Sequence, residues 1–527
     1  MMKKHLPVAA LCVGLAVDIL FWKKTPGISF ALFIMLSLIL GFWLLHRQRV
    51  HPARNSIMLI VPILFFSVFT FIRKDPLTIF LDYALTLFCI IVLTGTFRSG
   101  NWTTFSLRDY VINFFQFIGS LLVHPKDELE PVTSPKNKED PVKNWKPFLA
   151  VMRGILIALP ILLIFIALFS SADLVFAQKI DGFLRFFRGE YVGEYLFRGA
   201  YVLITAYFFM GLLRHAASRS QQERAVNPEG SRIKPFLGFT ETSIILGSVI
   251  LLFSIFVIIQ FRYLFFGQSN ITQTGFTYSE YARRGFTELV VVAVFSLLLL
   301  QGISVVAKWE NRGQKRIVSG LLIGLACTVL IILVSAFRRL LLYEAAYGFS
   351  ELRIYAHVFM IWLGILIVAI LIFNLIERSR LFTNLVLLVV IGFAASLNFL
   401  NVDGLIVRQN VERAVEGENL DIAYLARLSA DSVPELVQAF TSDEIPSAVR
   451  DEIGAALVCR SAYSGYEDSL KTPWQSFHLS TWRAKRALQL VQTELATYHL
   501  IENNAGLTTA VTPTGMRYSC WDTGWVD

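Results

Sequence analysis

Residues 317–341 read IVSGLLIGLACTVLIILVSAFRRLL, and the first 21 of them carry no charged side chain. A helix needs roughly 20 apolar residues to cross the hydrocarbon of a bilayer, so this stretch predicts a membrane span ending at Arg338 and Arg339. Similar runs recur along the chain, and about eleven spans are predicted: 6–22, 28–45, 57–72, 77–97, 148–169, 195–213, 240–265, 286–307, 317–341, 352–376 and 381–400. The third is short and contains Pro62. The first is flanked by Lys3, Lys4, Lys23 and Lys24 without a small-residue cleavage pattern, so it reads as a retained anchor. Cys12 follows Leu11, which argues against lipidation there.

Composition agrees with the spans. Of 527 residues, 55% are hydrophobic and 17% charged, against roughly 25% charged in a soluble chain. A soluble multidomain protein, a disordered chain, a collagen-like repeat and a small disulfide scaffold are all excluded. The expected fold is an all-α polytopic membrane protein with a small C-terminal helical domain. Four segments follow: a four-span block at 1–104, an interfacial helix and charged linker at 105–147, a seven-span core at 148–400, and a soluble, acidic, mostly helical domain at 401–527.

An excess of Lys and Arg in short loops marks the cytoplasmic side. With the N-terminus inside, the inner segments hold 23 Lys and Arg and the outer ones 14. The bias predicts a cytoplasmic N-terminus and, with an odd number of spans, an extracytoplasmic C-terminal domain. From Asn401 onward there are 10 Lys and Arg against 17 Asp and Glu. The basic surplus therefore lies in the membrane portion, where it faces anionic lipid. It does not form a nucleic-acid surface, so the expected partners are the bilayer and a protein met by the C-terminal domain.

Within that domain Val433, Leu436, Val437 and Phe440 share one helical face. Ile445, Val449, Ile453, Ala456 and Leu457 repeat the pattern, as do Ala484, Leu488, Val491, Leu495 and Tyr498. Thr508, Thr509, Val511 and Pro513 predict an extended end. A separate echo precedes three spans: Gly238-Phe239-Thr240-Glu241, Gly285-Phe286-Thr287-Glu288 and Gly348-Phe349-Ser350-Glu351. It reads as a recurring helix-entry device, with Thr or Ser capping and Glu facing the positive helix end. A duplicated two-span unit is the alternative.

Charges near a bilayer core are costly and count as functional candidates. On this topology the outer face gathers Arg283, Arg284, Glu288, Arg338, Arg339, Glu344, Glu351, Arg353 and His357. Arg353 and His357 lie four apart, on one helical face. Mutual pairing and snorkelling explain the set structurally. Functionally it suits an anion or headgroup site, since Arg offers bidentate donors; a proton path through His357 and Glu288 is a third reading. Asp18 and Asp82, inside spans, are expected to bond neighbouring helices. Gly320 and Gly324 form a GxxxG step, with small residues also at Ser243 and Gly247, and suit close packing within the chain.

No Cys-x-x-Cys, His-Glu-x-x-His, Gly-x-Ser-x-Gly or phosphate-binding glycine loop occurs, so no catalytic residue, metal or cofactor is expected. If the tail faces an oxidising compartment, Cys459 and Cys520 are able to pair.

Tyr278 through Glu288 to Leu289 (YSEYARRGFTEL) resembles the most characteristic stretch of a bacterial membrane family known only as domain of unknown function 4173. Similar motifs are Arg153-Gly154 through Pro160 to Asp173, Gln260 to Gly267, Arg339 through Tyr343-Glu344 to Glu351-Leu352-Arg353, Asn401 to Asn410, Leu420-Asp421 with Tyr424-Leu425, and Asp431-Ser432-Val433-Pro434. Weaker likeness surrounds Arg73 to Pro76, and Phe266 departs from the glycine expected beside Gly267. The resemblance implies a bacterial inner-membrane protein and carries no activity. The residues themselves set the expectations. The Arg/Glu set with His357 suits a transporter or flippase for an anionic or lipid-linked solute. The charge split at Asn401 suits a membrane-anchored sensor or assembly scaffold whose C-terminal domain binds a partner, and a membrane enzyme is a third reading without a recognisable constellation.

Overall fold

A computed structural model describes residues 2–106, 109–115, 192–218, 236–265, 286–308, 311–375, 382–463, 472–502 and 508–520, with scattered positions from 154 to 180. Among the described residues, eight helical segments are long and apolar enough to cross a membrane: Ile28–Arg47, Arg54–Ile72, Pro76–Gly95, Glu194–Ala217, Phe239–Ile259, Arg312–Tyr347, Glu351–Phe373 and Phe382–Leu400. Shorter apolar helices cover Leu6–Phe21 and Thr287–Ile303. Ten of the eleven sequence runs are thus helices, and the other, 148–169, falls mostly outside the described residues. The chain is an all-α polytopic membrane protein.

The membrane helices are α1 (Met2–Phe21), α2 (Ile28–Arg47), α3 (Arg54–Ile57), α4 (Ile60–Ile72), α5 (Pro76–Gly95), α6 (Val192–Ser218), α7 (Phe239–Phe265), α8 (Phe286–Val306), α9 (Arg312–Tyr347), α10 (Glu351–Leu375) and α11 (Phe382–Leu400). Pro62 splits the third run into α3 and α4, because its ring crowds the carbonyl four residues back and it has no N–H to donate. At 36 residues α9 is roughly 54 Å long. That exceeds the roughly 30 Å hydrocarbon core, so part of it extends beyond the lipid.

Contacts divide the chain into two compact units. The first holds residues 1–68, 85–226 and 473–476. Its core joins Val13, Ile34, Ile63, Cys89 and Phe209. Here α1 and α6 pair through residues spaced four apart. Gly14 meets the Val202 carbonyl so closely that a Cβ would collide with it. Asp18 takes Arg198 Nε at 2.9 Å and Nη2 at 2.5 Å, and Glu194 accepts from Trp22 Nε1 at 2.8 Å. The helix-to-helix bond expected of Asp18 is present.

The second unit holds residues 69–84, 227–472 and 477–527. One core lies among α7 to α10, around Leu246, Leu325, Leu340 and Ile367. The GxxxG step contributes to it, since Gly324 faces Ile250 of α7. Asp82 also behaves as expected, accepting from Asn398 Nδ2 of α11 at 2.7 Å. The first copy of the entry motif works as a cap, with the Gly238 N–H donating to Glu241 Oε2 at 2.8 Å.

The C-terminal segment of this unit carries α12 (Val402–Val415), α13 (Ile422–Arg427), α14 (Val433–Thr441), α15 (Ser447–Tyr463), α16 (Leu479–Leu490) and α17 (Gln492–Leu495). An antiparallel sheet follows in the order β1 (His499–Glu502), β2 (Thr508–Val511) and β3 (Arg517–Ser519). The extended end is therefore a three-stranded meander. The apolar stripe 484–498 is not one helix, because the chain leaves helical geometry at Val491 before resuming as α17. A second core runs from the span ends into these helices, through Ile354, Leu397, Ile406, Leu425, Leu436 and Ile453. A disulfide joins Cys459 of α15 to Cys520 after β3.

Candidate functional site

Three helix N-termini meet where the C-terminal helices cover the span ends of the second unit. The sequence Asp75-Pro76-Leu77-Thr78 starts α5. Pro suits the first helical position, and Asp75 caps the helix by accepting from the Thr78 N–H at 2.9 Å. Glu351 is the first residue of α10 and Asp403 the second of α12. One carboxylate oxygen from each of these acids lies within 4.8 Å of the other two. The positive end of a helix stabilises a nearby carboxylate, so each acid sits where its own helix tolerates it best.

The trio is set firmly. The Tyr355 hydroxyl and the Thr78 hydroxyl both donate to Asp75. The Ser429 N–H donates to Asp403 Oδ2 at 2.8 Å. Asp403 is fully buried, and its Oδ1 has no hydrogen-bond partner. Burial pushes its carboxyl above the usual range against the pull of the Ser429 hydrogen bonds, and the negative charge of Asp75 adds to the rise. Three carboxylates this close can hold a shared proton or a cation; Asp75 already has hydrogen bonds on both oxygens, which favours the proton.

Around the trio the C-terminal helices grip the loops between spans. Asp431 accepts from the Lys74 N–H at 2.6 Å and pairs with Arg73 at 3.6 Å. Arg73 Nε donates to the Asn398 carbonyl at 2.8 Å. Asn410 accepts from the Phe349 N–H at 2.8 Å and donates to the Phe349 carbonyl at 2.9 Å. The Tyr424 hydroxyl accepts from the Glu351 N–H at 2.9 Å. Gly348 has φ +79° and ψ 179°, a positive-φ conformation that glycine adopts readily, and the chain there brings Phe349 up to Asn410.

A cavity of about 820 Å³ adjoins this junction. Lys74, Arg427, Arg460 and Lys485 line it, with Glu351 at the trio's edge. The rest of the wall is largely apolar, with Leu457, Val458, Leu488 and Leu495. Arg460 Nη1 donates to the Leu428 carbonyl, which holds its guanidinium at the wall. Burial pushes the Lys74 ammonium down, and the positive charges of Arg460 and Lys485 push it further, against the opposing pull of Asp431.

The candidate residues read from sequence separate into groups. Glu344 Oε1 lies 3.2 Å from His357 Nδ1, at ion-pair distance without hydrogen-bond alignment; both residues are buried. Phe337 packs edge-on against the imidazole at 4.4 Å. Arg353 lies 4.2 Å over the Tyr343 ring and donates to the Tyr347 carbonyl at 3.2 Å. Arg339 is buried, whereas Arg338 and Glu288 are exposed. Glu351 joins the acid trio. Arg283 and Arg284 lie outside the described residues. Sequence reasoning missed Asp75, Asp403 and the four cavity cations. The signal for Asp75 was present in the Asp-Pro-Leu-Thr start; Ala484, Leu488 and Leu495, read as one apolar helical face, line the cavity.

No curated protein and no solved structure matches the chain. A family model does: Domain of unknown function (DUF4153), over residues 60–439. It differs from family 4173, which the motifs resemble, and the agreement is at the level of an uncharacterised domain family. The matched segment contains the whole acid trio and its grip on the loops, while Arg460 and Lys485 lie beyond it. Spanning well over half of the sequence, that match makes the chain a member of the DUF4153 family.

Proposed function

We propose that this protein is a membrane-anchored sensor or assembly scaffold, in which segment 401–527 receives a signal at the outer surface and passes it to the spans. The observation that carries the reading is the grip of Asp431 on Arg73 and Lys74 and of Asn410 and Tyr424 on Phe349 and Glu351. A tail bonded to the starts of two spans transmits its own displacement to them; a loosely tethered appendage does not.

The reading places the protein in a bacterial inner membrane, with a cytoplasmic N-terminus and an extracytoplasmic tail. Parity supports this. Arg73 and Lys74 follow the third predicted span, so they lie across the membrane from the N-terminus, and Asp431 bonds to both. The Cys459–Cys520 disulfide suits an oxidising compartment. A second reading, a transporter or flippase for an anionic or lipid-linked solute, is favoured by the buried Glu344–His357 pair inside the helical membrane portion.

The test uses the full chain in native membranes, with a photocrosslinking residue at Trp482, which is 44% exposed. The sensor reading expects a crosslinked protein partner whose yield falls in Asp431→Ala. Absence of a tail-dependent partner, together with anion flux in vesicles that drops in Arg353→Ala, would replace the sensor with the carrier.

A further inference from the structure

Nothing in the sequence reading or the family match assigns the cavity beside the acid trio. It is amphipathic in a specific way. Lys74, Arg427, Arg460 and Lys485 bring four positive charges to its wall and Glu351 a carboxylate, while Asp431 draws on Lys74 and both Asp403 and Asp431 draw on Arg460 from beside it. Leu457, Val458, Leu488 and Leu495 supply an apolar surface beside them. Its volume, about 820 Å³, falls in the range of small-molecule sites, roughly 300–1,000 Å³. Like charges gathered in a half-buried space repel one another and are stabilised by a bound anion.

Location selects among anions. Pro76 begins one membrane helix, with Lys74 two residues before it, and Glu351 begins another, so one side of the cavity is made at the bilayer boundary. A molecule lying partly in lipid reaches it without crossing bulk water. An inorganic anion would use the cations and leave the leucine surface unpaired. A molecule with an anionic head and an apolar chain uses both.

We propose that this cavity binds the phosphate-bearing head of an anionic amphiphile, with Lys74, Arg460 and Lys485 facing the phosphate and Leu457, Val458 and Leu488 facing the first part of the chain. The acid trio bounds the polar end and keeps the head on the basic side. The assignment rests on the sensor reading, for which it supplies the signal. The cations Arg460 and Lys485 and three of the four apolar residues come from α15 and α16, beyond the family-matched segment, so ligand choice belongs to this chain's own tail.

The experiment titrates purified full-length protein in phosphatidylcholine nanodiscs with a fluorescent short-chain phosphatidic acid, reading anisotropy. Phosphatidylcholine of the same chain length, inorganic phosphate and a short acidic peptide serve as competitors. The expected result is saturable binding, displaced at least tenfold more weakly by phosphate and not displaced by phosphatidylcholine. Lys485→Glu lowers affinity at least tenfold, and Val458→Trp, which fills the cavity without touching its charge, lowers it comparably. Retention of the disulfide on non-reducing gels and an unchanged Tm show that both variants fold; Lys485→Met is the milder substitute if Lys485→Glu does not.

Absence of saturable binding by the native chain overturns the proposal, as does binding that neither variant weakens. Phosphate competing as strongly as the amphiphile overturns the lipid assignment in favour of a free anion. An acidic peptide displacing the probe at lower concentration overturns it in favour of a protein ligand. Binding as expected, with no tail-dependent crosslink at Trp482, leaves the ligand assignment standing and removes only the sensor reading.

Discussion

Asp403 shows how one residue's setting creates a measurable pH response. It is fully buried, close to Asp75 and Glu351, and its carboxyl titrates above the usual range because burial disfavours the charged form. Glu351 beside it is raised as well, by burial and by the Asp403 charge, so the folded state holds on this pair a proton that the unfolded chain has released. Its contribution to stability is full below the unfolded value, about 3.9, and is lost as pH rises through the higher folded-state value. Asp403→Asn keeps an oxygen for the Ser429 N–H while removing the titration. Tm measured against pH should fall less steeply in this variant above about pH 4; an unchanged slope would show that Asp403 is not the group that holds the proton. Lys74 carries the opposite sign, a cation pushed down by burial and by its basic neighbours. An anion in the cavity relieves that cost.

The α1–α6 pair illustrates what sets an interface between elements. Gly14 and Asp18 on α1 and Trp22 in the turn just after it recur every four residues and meet Val202, Arg198 and Glu194 on α6 in antiparallel order. Gly14 sets the separation, because a side chain there would strike the Val202 carbonyl. Only at that separation does Asp18 receive Arg198 through both oxygens. Gly14→Val should part the helices and cost about 1–3 kcal/mol, read as a lower Tm, and a subsequent Asp18→Asn should then cost less than it does in the native chain. Additive losses would show that the close approach and the ion pair are independent. The entry motif shows how context changes a local device. At Glu241 the carboxylate caps its own helix, whereas at Glu351 the same Gly-Phe-Ser-Glu pattern lends its backbone to Asn410 and Tyr424.

Across the whole molecule, the tail's stability depends on one covalent tie. The disulfide closes a 61-residue separation between α15 and the end of the sheet, and constraining a loop of that length is worth about 4 kcal/mol in the chain-entropy account. Cys520→Ser should lower the tail's stability by roughly that amount and abolish the mobility shift between reduced and non-reduced gels. Because Leu457, Val458 and Arg460 flank Cys459 and line the cavity, the same variant should loosen probe binding. A variant that keeps native mobility shift and native melting would remove the bridge from the protein in membranes.

The sequence alone determined ten of the eleven predicted spans among the described residues, since hydropathy over about 20 residues is a local property that lipid reads directly. It also determined the change of character at Asn401, the extended end, and the helix-bonding roles of Asp18 and Asp82, because an acid inside an apolar run has few ways to be satisfied. Tertiary structure alone decided the site. Lys74 and Asp431 stand 357 positions apart and Tyr355 stands 280 from Asp75, so no window along the chain contains the junction they make. Whether an apolar stripe fills a core or walls a cavity is likewise decided by what faces it: Ala484, Leu488 and Leu495 have ordinary helical spacing, and only the placement of Lys74, Arg460 and Lys485 around the same space turns that stripe into half of an amphipathic cavity.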